Sequence, residues 1–283
     1  MTDQDRESYD PAQVLGGLNP ELARLRAQAD LSWSEEARLL TQAGLVDGMS
    51  ILEIGCGPGY ITQRLLEMLP RSFVTAVDID AMLLDIAQRN LAPWRERHRL
   101  VMSSIYSLGL PDTNYDFVLV RYVLQHLSNP QSALAEIMRV LKPGGTLAVI
   151  EVDANLWGIS EPHIDQLERI YAQLDFVQAE QGGNRRIGRE LWRLLRNAGY
   201  DAPHLDVYAY HSDELGIEPF LPQLDPKRLL PAVNAGQVSF LEYATIQLAL
   251  QEFTNHQEAY ILMLGFCAHA RKPLGSVTNT QTG

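Results

Sequence analysis

The chain has 283 residues, 46% of them hydrophobic, which is long enough and apolar enough to build a substantial buried core. Its 23 basic and 35 acidic side chains give a formal charge of −12, and no dense basic run occurs. This balance argues against a nucleic-acid partner and against a polybasic membrane-surface segment, because both need positive charge.

The sequence also predicts a cytoplasmic protein. The first residues, MTDQDRESYDPAQ, lack the charged-then-apolar layout of a secretory signal. The longest apolar run, residues 259–270, is shorter than the roughly 20 residues that span a bilayer, and it predicts a buried strand instead. Cys56 and Cys267 lie far apart, which predicts two reduced thiols and no disulfide. No metal site is expected, because the histidines other than His126 show no metal-ligand spacing.

Short β-rich runs alternate with helical patterns along most of the chain. The runs that predict strands are residues 50–54, 72–77, 99–102, 116–120, 146–152, 204–210 and 259–270. The patterns that predict helices between them are residues 60–69, 81–90, 131–141, 161–176 and 189–197. We therefore expect an α/β fold, a Rossmann-like, seven-stranded, mostly parallel sheet with helices on both faces and an added helical lid.

Two helical additions flank this core and predict the lid. In the first, Pro20 can start a helix, and Ser32 or Ser34 can cap a second one. The expected organisation is an N-terminal helical lid segment (1–45), a ligand-binding core (46–155), a helical lid insert (156–186), the C-terminal part of the core (187–273) with a helical insert (213–257), and a disordered tail (274–283). We expect residues 1–35 and 155–185 to close over a ligand as a mobile cover.

The sharpest local signal is the stretch ILEIGCGPGY, residues 51–60, in which an apolar run leads into G-x-G-x-G and then a helix. Glycines at such a turn let the backbone approach a ligand closely. The spacing differs from the G-x-G-x-x-G of dinucleotide sites, which indicates a ligand without phosphates. Asp78 ends the next strand and can accept hydrogen bonds from ribose hydroxyls. Its alternative role, capping the following helix, suits Asp80 equally well.

Four motifs in order, LEIGCGPG, AVDID, LPDTNYDFVLVRYVLQHL and LKPGGTLAVIE, resemble those of the class I S-adenosylmethionine-dependent methyltransferases of the UbiE-like small-molecule type. The resemblance is close over residues 20–155, and residues 187–200 fit the helix before the sixth strand of that family. It implies that the cofactor is S-adenosylmethionine. It also implies a cofactor-binding set, which is Glu53, Gly55, Cys56, Gly57, Gly59, Asp78, Ile79, Ser104, Ile105 and Arg121.

The resemblance assigns parts of the cofactor to these residues. Glu53 and the glycines border its methionine part, Asp78 holds the ribose and Ile79 lies against the adenine. Ser104 and Ile105 take the adenine edge, where many relatives carry aspartate in place of the serine, and Arg121 lines the amino-acid end. A surface ion pair is the alternative role for Arg121.

The implied reaction is transfer of a methyl group to oxygen, nitrogen or carbon of a small-molecule acceptor by in-line displacement, which depends on alignment and exclusion of water. His126 is the candidate catalytic base, with mere packing of its loop as the alternative. The candidate substrate-binding residues are Trp33, Glu151, Trp157 and Tyr171, and for the aromatic ones core packing is the alternative. A homo-oligomer is left open.

Two other functions share this architecture. One is an S-adenosylmethionine-binding enzyme that does not methylate, for example a cyclase. The other is an NAD-dependent oxidoreductase, which the glycine spacing and Pro58 within the turn disfavour.

Overall fold

In the computed structural model of the chain, residues 17–274 are described. The N-terminal part of the predicted lid segment, residues 1–16, and all but the first residue of the predicted tail lie outside them. The strands are β1 (Ser50–Ile54), β2 (Phe73–Asp78), β3 (His98–Met102), β4 (Tyr115–Arg121), β5 (Leu141–Glu151), β6 (Gly158–Glu161), β7 (Asp201–His211) and β8 (Tyr260–Arg271). The helices are α1 (Leu18–Gln42), α2 (Tyr60–Met68), α3 (Ala81–Asn90), α4 (Pro130–Val140), α5 (Asp165–Glu180), α6 (Leu191–Asn197), α7 (Ser212–Leu215), α8 (Leu221–Leu224), α9 (Leu230–Asn234) and α10 (Phe240–Thr254).

These strands form one mixed sheet. Strands β3, β2, β1, β4 and β5 lie side by side and parallel, and β8 continues the sheet antiparallel to β5. Strand β7 pairs with β8 as well. The predicted Rossmann-like α/β fold is confirmed, because each of the seven predicted strands is present within a few residues of its expected bounds.

The sheet has an eighth strand that the sequence did not predict. Strand β6 lies inside the segment expected to be a purely helical insert, and it pairs antiparallel with residues 260–263 of β8. The two backbones approach closely at Gly158, where an added Cβ would lie 1.8 Å from the carbonyl oxygen of Leu262. A four-residue strand whose partner is about a hundred residues away leaves little periodic signal in its own sequence.

The N-terminal prediction of two helices is wrong, because α1 runs unbroken from Leu18 to Gln42. Ser32 therefore caps nothing and lies mid-helix, where its hydroxyl donates a 2.6 Å hydrogen bond to Glu36 Oε1. Ala29, Leu39 and Leu40 are buried on this helix, so its apolar face continues past both serines.

Alternate residues of the central strands pack against the two layers of helices. Ile51 and Leu119 join the cluster made with α1, α2 and α3. Leu52 and Val120 point the other way, into the cluster made with α4 and α6. Helices on both faces of the sheet are thus confirmed.

A third cluster joins α5, α8, α9 and α10 to β8 and to one residue of α1, Leu31. Of these helices, α5 and α9 contribute residues to the wall of a cavity at the sheet edge, as α1 does. In the described range, residues 17–274, no helix combines the length and the apolar character needed to cross a membrane.

Candidate functional site

A cavity of about 770 Å³ opens where β1, β2 and β4 end. Its size falls within the roughly 300–1,000 Å³ of small-molecule sites, and its position is the usual ligand edge of an open α/β sheet. Residues of α1 and α5 complete its walls. The sequence-predicted residues that line it are Glu53, Gly55, Cys56, Gly57, Asp78, Ile79, Ile105, Arg121 and His126.

The glycines of the turn after β1 have different tasks. All have positive φ angles, 75° at Gly55, 52° at Gly57 and 80° at Gly59. A Cβ on Gly55 would lie 2.2 Å from Val123 Cγ2, and one on Gly59 would lie 3.1 Å from Leu91 Cδ1. A Cβ on Gly57 would meet nothing within 4 Å, so this glycine presents bare backbone to the cavity.

This geometry corrects the interpretation of Gly59 as a cofactor-binding residue. Gly59 is not among the described residues that line the cavity. It precedes α2 in a left-handed conformation and packs beside Leu91 and Ala87. A larger residue would be strained and would separate the turn from α3, so the glycine serves the packing of the helices.

The Asp78 carboxylate holds the glycine turn in place. Its Oδ2 accepts a 2.7 Å hydrogen bond from the Gly57 N–H, and its Oδ1 accepts one of 2.9 Å from the Asp80 N–H. Burial raises the pKa of Asp78, while these backbone N–H groups oppose the rise. Asp80 accepts from the N–H groups of Met82 and Leu83 and so caps α3. The capping task therefore falls to Asp80, and Asp78 serves the turn and the cavity.

The turn end of the cavity is acidic. Burial raises the pKa of Glu53 to about 7, against the effects of a 2.6 Å hydrogen bond from Thr62 and of the Arg121 charge. Asp78 and Asp80 line the cavity beside it. Carboxylates this close together favour a cationic ligand and oppose a pyrophosphate.

Arg121 lies at the end of β4 and lines the cavity, but its charge is already paired. Its Nε lies 2.7 Å from Glu36 Oε2, and its Nη2 donates to the Gln28 carbonyl at 3.0 Å. The ion pair is buried, so the alternative of a surface pair is wrong. It joins α1 to the sheet, which leaves the guanidinium only partly available to a ligand carboxylate.

Ser104 does not lie on the cavity wall, which corrects its predicted place at the adenine edge. Its hydroxyl accepts a 3.3 Å hydrogen bond from the Tyr106 N–H. The serine that lines the cavity is Ser103, and its hydroxyl donates to the Ser107 carbonyl at 2.8 Å.

The aromatic residues predicted to bind substrate belong to the core instead. Trp157 and Tyr171 stack with ring centroids 5.1 Å apart inside the cluster of added helices. Trp33 packs against the cluster of α1, α2 and α3. None of the three lines the cavity, so ordinary core packing is their role in this structure.

Glu151 was also predicted to touch substrate, but it is completely buried behind the cavity wall. Its Oε1 accepts a 3.2 Å hydrogen bond from the Gln125 N–H, and its Oε2 has no partner. Burial raises the pKa of Glu151 to about 8, although several backbone N–H groups oppose the rise. The carboxyl is therefore largely protonated at neutral pH.

We expect Glu151→Gln to stabilise the protein at alkaline pH. Between pH 4.5, the ordinary pKa of a glutamate, and about pH 8, Glu151 is ionised in the unfolded chain but stays protonated in the folded chain. The free energy of unfolding of the wild type therefore falls as the pH rises through this range. Glutamine removes that penalty, so the variant should match the wild type near pH 4.5 and exceed it by about 1–3 kcal/mol at pH 8. Urea unfolding at several pH values measures the difference. Glu252→Gln changes an exposed carboxylate on α10 and controls for loss of a surface charge. An equal dependence of the unfolding free energy on pH in the two variants would contradict the prediction.

His126 ends the short 3₁₀ turn that follows β4, and it lines the cavity. Burial, with the charges of Arg185 and Arg24, lowers its pKa to about 3. The imidazole is therefore neutral at physiological pH, and it retains an extra proton poorly. This makes it a weak general base in the ligand-free protein.

Three arginines that the sequence analysis missed lie on the same side of the cavity as His126. Arg24 comes from α1, Arg185 from the loop after α5, and Arg228 from the turn before α9. Gln223 links two of them, because it accepts from Arg24 at 3.0 Å and its carbonyl accepts from Arg228 at 2.7 Å. No motif surrounds any of the three, and only the fold brings them together.

Two histidines without metal-ligand spacing in the sequence also meet in space. His204, Asp206 and His269 offer ligand atoms within 4.8 Å of one another on β7 and β8. None of them lines the cavity, and His204 is exposed. Three ligands are fewer than the four of a structural zinc site, so the cluster alone defines no metal centre.

Comparison with known proteins shows what this chain is similar to. Residues 52–149 match the family model described as a methyltransferase domain. An uncharacterised 37.1 kDa protein in a transposon of Streptomyces fradiae is 32% identical over 209 residues, covering 70% of this chain and 59% of that protein. The demethylmenaquinone methyltransferase of Chlamydia pneumoniae is 35% identical over 108 residues, covering 38% of this chain and 46% of the relative. The chain thus spans about half the length of the curated relatives it matches.

Solved structures agree on the fold. Phosphoethanolamine N-methyltransferase 2 of Haemonchus contortus, solved with phosphomonomethylethanolamine and S-adenosylhomocysteine, superposes with a TM-score of 0.54 at 16% identity, covering 85% of this chain and 53% of that one. The [4+2]-cyclase SpnF gives 0.53 at 22% identity, covering 87% and 85%.

The sheet order and the glycine turn agree with the methyltransferase domain that residues 52–149 match, and S-adenosylmethionine is the cofactor of class I methyltransferases with this fold. The sequence relatives include UbiE and demethylmenaquinone methyltransferases, to which this chain is similar over 38–40% of its length.

Proposed function

We propose that the protein transfers a methyl group from S-adenosylmethionine to a small-molecule acceptor bound in the same cavity. The observation that carries this proposal is the acidic end of the cavity, which Glu53, Asp78 and Asp80 line together with the bare backbone of Gly57. A sulfonium and an ammonium group suit such an end, and a pyrophosphate does not.

The residues at the turn fit the cofactor that the family implies. Gly57 leaves room for close approach, Asp78 offers carboxylate oxygens to ribose hydroxyls, and Glu53 faces the cationic methionine part. Ile79, Ile105 and Ser103 would border the adenine. When bound, S-adenosylmethionine supplies a methyl group on positively charged sulfur, which departs as a neutral thioether when the acceptor's electron pair displaces it.

The chain's own contribution is alignment and exclusion of water. Helices α1 and α5 wall the cavity, and apolar side chains such as Leu25, Leu174 and Val177 face into it. We propose that His126 lines the acceptor beside the methyl group. Because its pKa is lowered, His126 is better suited to orienting the acceptor than to removing a proton from it. A bound negative charge that offsets the neighbouring arginines would raise this pKa again.

The test is transfer of an isotopic label. Full-length protein is incubated with trideuteromethyl S-adenosylmethionine and, in separate reactions, with the low-mass and the macromolecular fractions of an extract of its source cells. The products are identified by mass spectrometry. We expect a small molecule to gain the labelled methyl group, and Gly57→Val protein to give none. Label found only in macromolecules would exclude a small-molecule acceptor.

A non-methylating enzyme is the second candidate, and the fold shared with the cyclase SpnF is the observation that favours it. That candidate predicts a product that has changed structure without the labelled methyl group. The same experiment therefore distinguishes the two functions.

That residues 1–35 and 155–185 form a mobile cover over the cavity remains a prediction. Helix α5 contributes several wall residues, and its neighbours belong to the added helical cluster rather than to the central sheet. We expect amide hydrogen exchange across Asp165–Glu180 to slow when S-adenosylhomocysteine is added, with Ser50–Ile54 protected throughout. Slow exchange in α5 that the ligand does not change would mean that the helix is a fixed wall.

A further inference from the structure

The arginine side of the cavity carries positive charge that the protein leaves uncompensated. Arg24 is paired with Glu21, whose Oε1 lies 2.6 Å from its Nη2. Among residues 17–274, no carboxylate lies within 4 Å of the guanidinium of Arg185 or of Arg228. The two guanidiniums are half-buried and line the cavity, so water screens their charges incompletely.

The hydrogen bonds of these two arginines are also incomplete. Arg185 Nη1 donates to Gln178 Oε1 at 3.1 Å, and its Nε is buried with no acceptor. Arg228 Nη1 donates to the Gln223 carbonyl at 2.7 Å. Both contacts are to neutral oxygens, which orient a guanidinium without neutralising it.

The acidic groups nearby act on these guanidiniums only from beyond 4 Å, namely Asp175 and Glu151 on Arg185 and Glu21 on Arg228. Asp175 pairs with Arg186 at 3.3 Å, on the outer side of the same loop. Glu180 also lines the cavity, but its carboxylate lies more than 4 Å from both guanidiniums and accepts a hydrogen bond from Gln237 at 3.0 Å. Glu151 is largely protonated at neutral pH.

Repulsion among the three arginines affects the pKa of Arg228. Burial and the charges of Arg24 and Arg185 lower the pKa of Arg228 to about 9. Holding such charges together without a counterion is costly, and sites with this arrangement commonly bind carboxylates or phosphates.

The remaining wall on this side is apolar and includes Leu25, Leu174, Val177 and Ala232. We propose that the methyl acceptor is a small acid with an apolar body, whose carboxylate or phosphate binds between Arg185 and Arg228. This inference rests on the proposed function only in naming the bound acid as the acceptor. The acidic turn and the basic side would then hold the cationic cofactor and the anionic acceptor at separate places in one cavity.

Calorimetric titration of the full chain, saturated with S-adenosylhomocysteine, tests the proposal with three probes that have the same number of carbon atoms: octanoate, octyl phosphate and octanamide. We expect at least one of the two acids to bind at least tenfold more tightly than the neutral amide, and the preferred acid identifies the anionic group. Equal affinity for acid and amide, or no binding of either acid, would overturn the proposal.

Variants then assign the site. Arg185→Met and Arg228→Met should each weaken binding of the preferred acid at least tenfold and leave octanamide unchanged. Arg186→Met is the matched control, since this neighbour is exposed and does not line the cavity. Equal acid affinity in the Arg185→Met and Arg186→Met proteins would overturn the assignment. Titration with S-adenosylhomocysteine alone distinguishes failure of the proposed function from failure of this inference. Absence of S-adenosylhomocysteine binding would reject the proposed function. Absence of a preference for the acid would reject only this inference.

Discussion

Gly57→Val should abolish detectable binding of S-adenosylhomocysteine while the protein stays folded. A branched side chain at this position projects into the cavity where the backbone must approach the ligand, and nothing of the protein lies within 4 Å to be displaced instead. We expect the dissociation constant to rise at least a hundredfold, or about 3 kcal/mol. Isothermal titration calorimetry measures it.

A matched control separates ligand exclusion from backbone strain. Gly109 also has a positive φ angle, 63°, with open space around its absent Cβ, but it is exposed and does not line the cavity. Gly109→Val imposes similar strain, so it should lower stability by a similar amount and leave affinity intact. Retained binding in Gly57→Val protein would mean that the turn serves only the fold.

Asp78→Ala has the second large expected effect. The substitution removes the proposed acceptor for the ribose hydroxyls, and it also frees the Gly57 N–H from its 2.7 Å hydrogen bond. Charge-assisted bonds of this kind contribute about 1.5–3 kcal/mol each, so we expect affinity for S-adenosylhomocysteine to fall by about 2–4 kcal/mol.

Asp80→Ala is the control for this variant. It removes the cap of α3, which costs about 1 kcal/mol of stability, but it leaves the Asp78 bond to the turn in place. The free energy of unfolding should therefore fall in Asp80→Ala protein with little change in affinity. Equal affinities for Asp78→Ala and wild type would remove Asp78 from the site.

The central sheet and the cofactor turn were predictable because their signals are local. The inner parallel strands are largely apolar runs, since helices cover them on both sides, and the glycine turn follows the first run directly. The same local reading failed at α1, where Ser32 resembles a cap and instead donates to Glu36 within one continuous helix.

Features that depend on distant pairing could not be predicted. Strand β6 exists because it meets the start of β8, and Arg24, Arg185 and Arg228 converge from segments about 40 to 200 residues apart. The roles of Gly59 and Ser104 depend on their neighbours in the fold. Gly59 packs beside Leu91, and the Ser104 hydroxyl accepts from the Tyr106 N–H. Position in a motif specifies the turn, but tertiary packing decides which of its residues face the ligand.

The central claim is that the cavity at the glycine turn binds S-adenosylmethionine, and the most direct test compares two ligands on the wild-type chain. Calorimetric titration with S-adenosylhomocysteine and, separately, with NAD measures the two affinities under identical conditions. The acidic turn end predicts saturable binding of S-adenosylhomocysteine and no detectable binding of NAD. Saturable binding of NAD without binding of S-adenosylhomocysteine would contradict the claim.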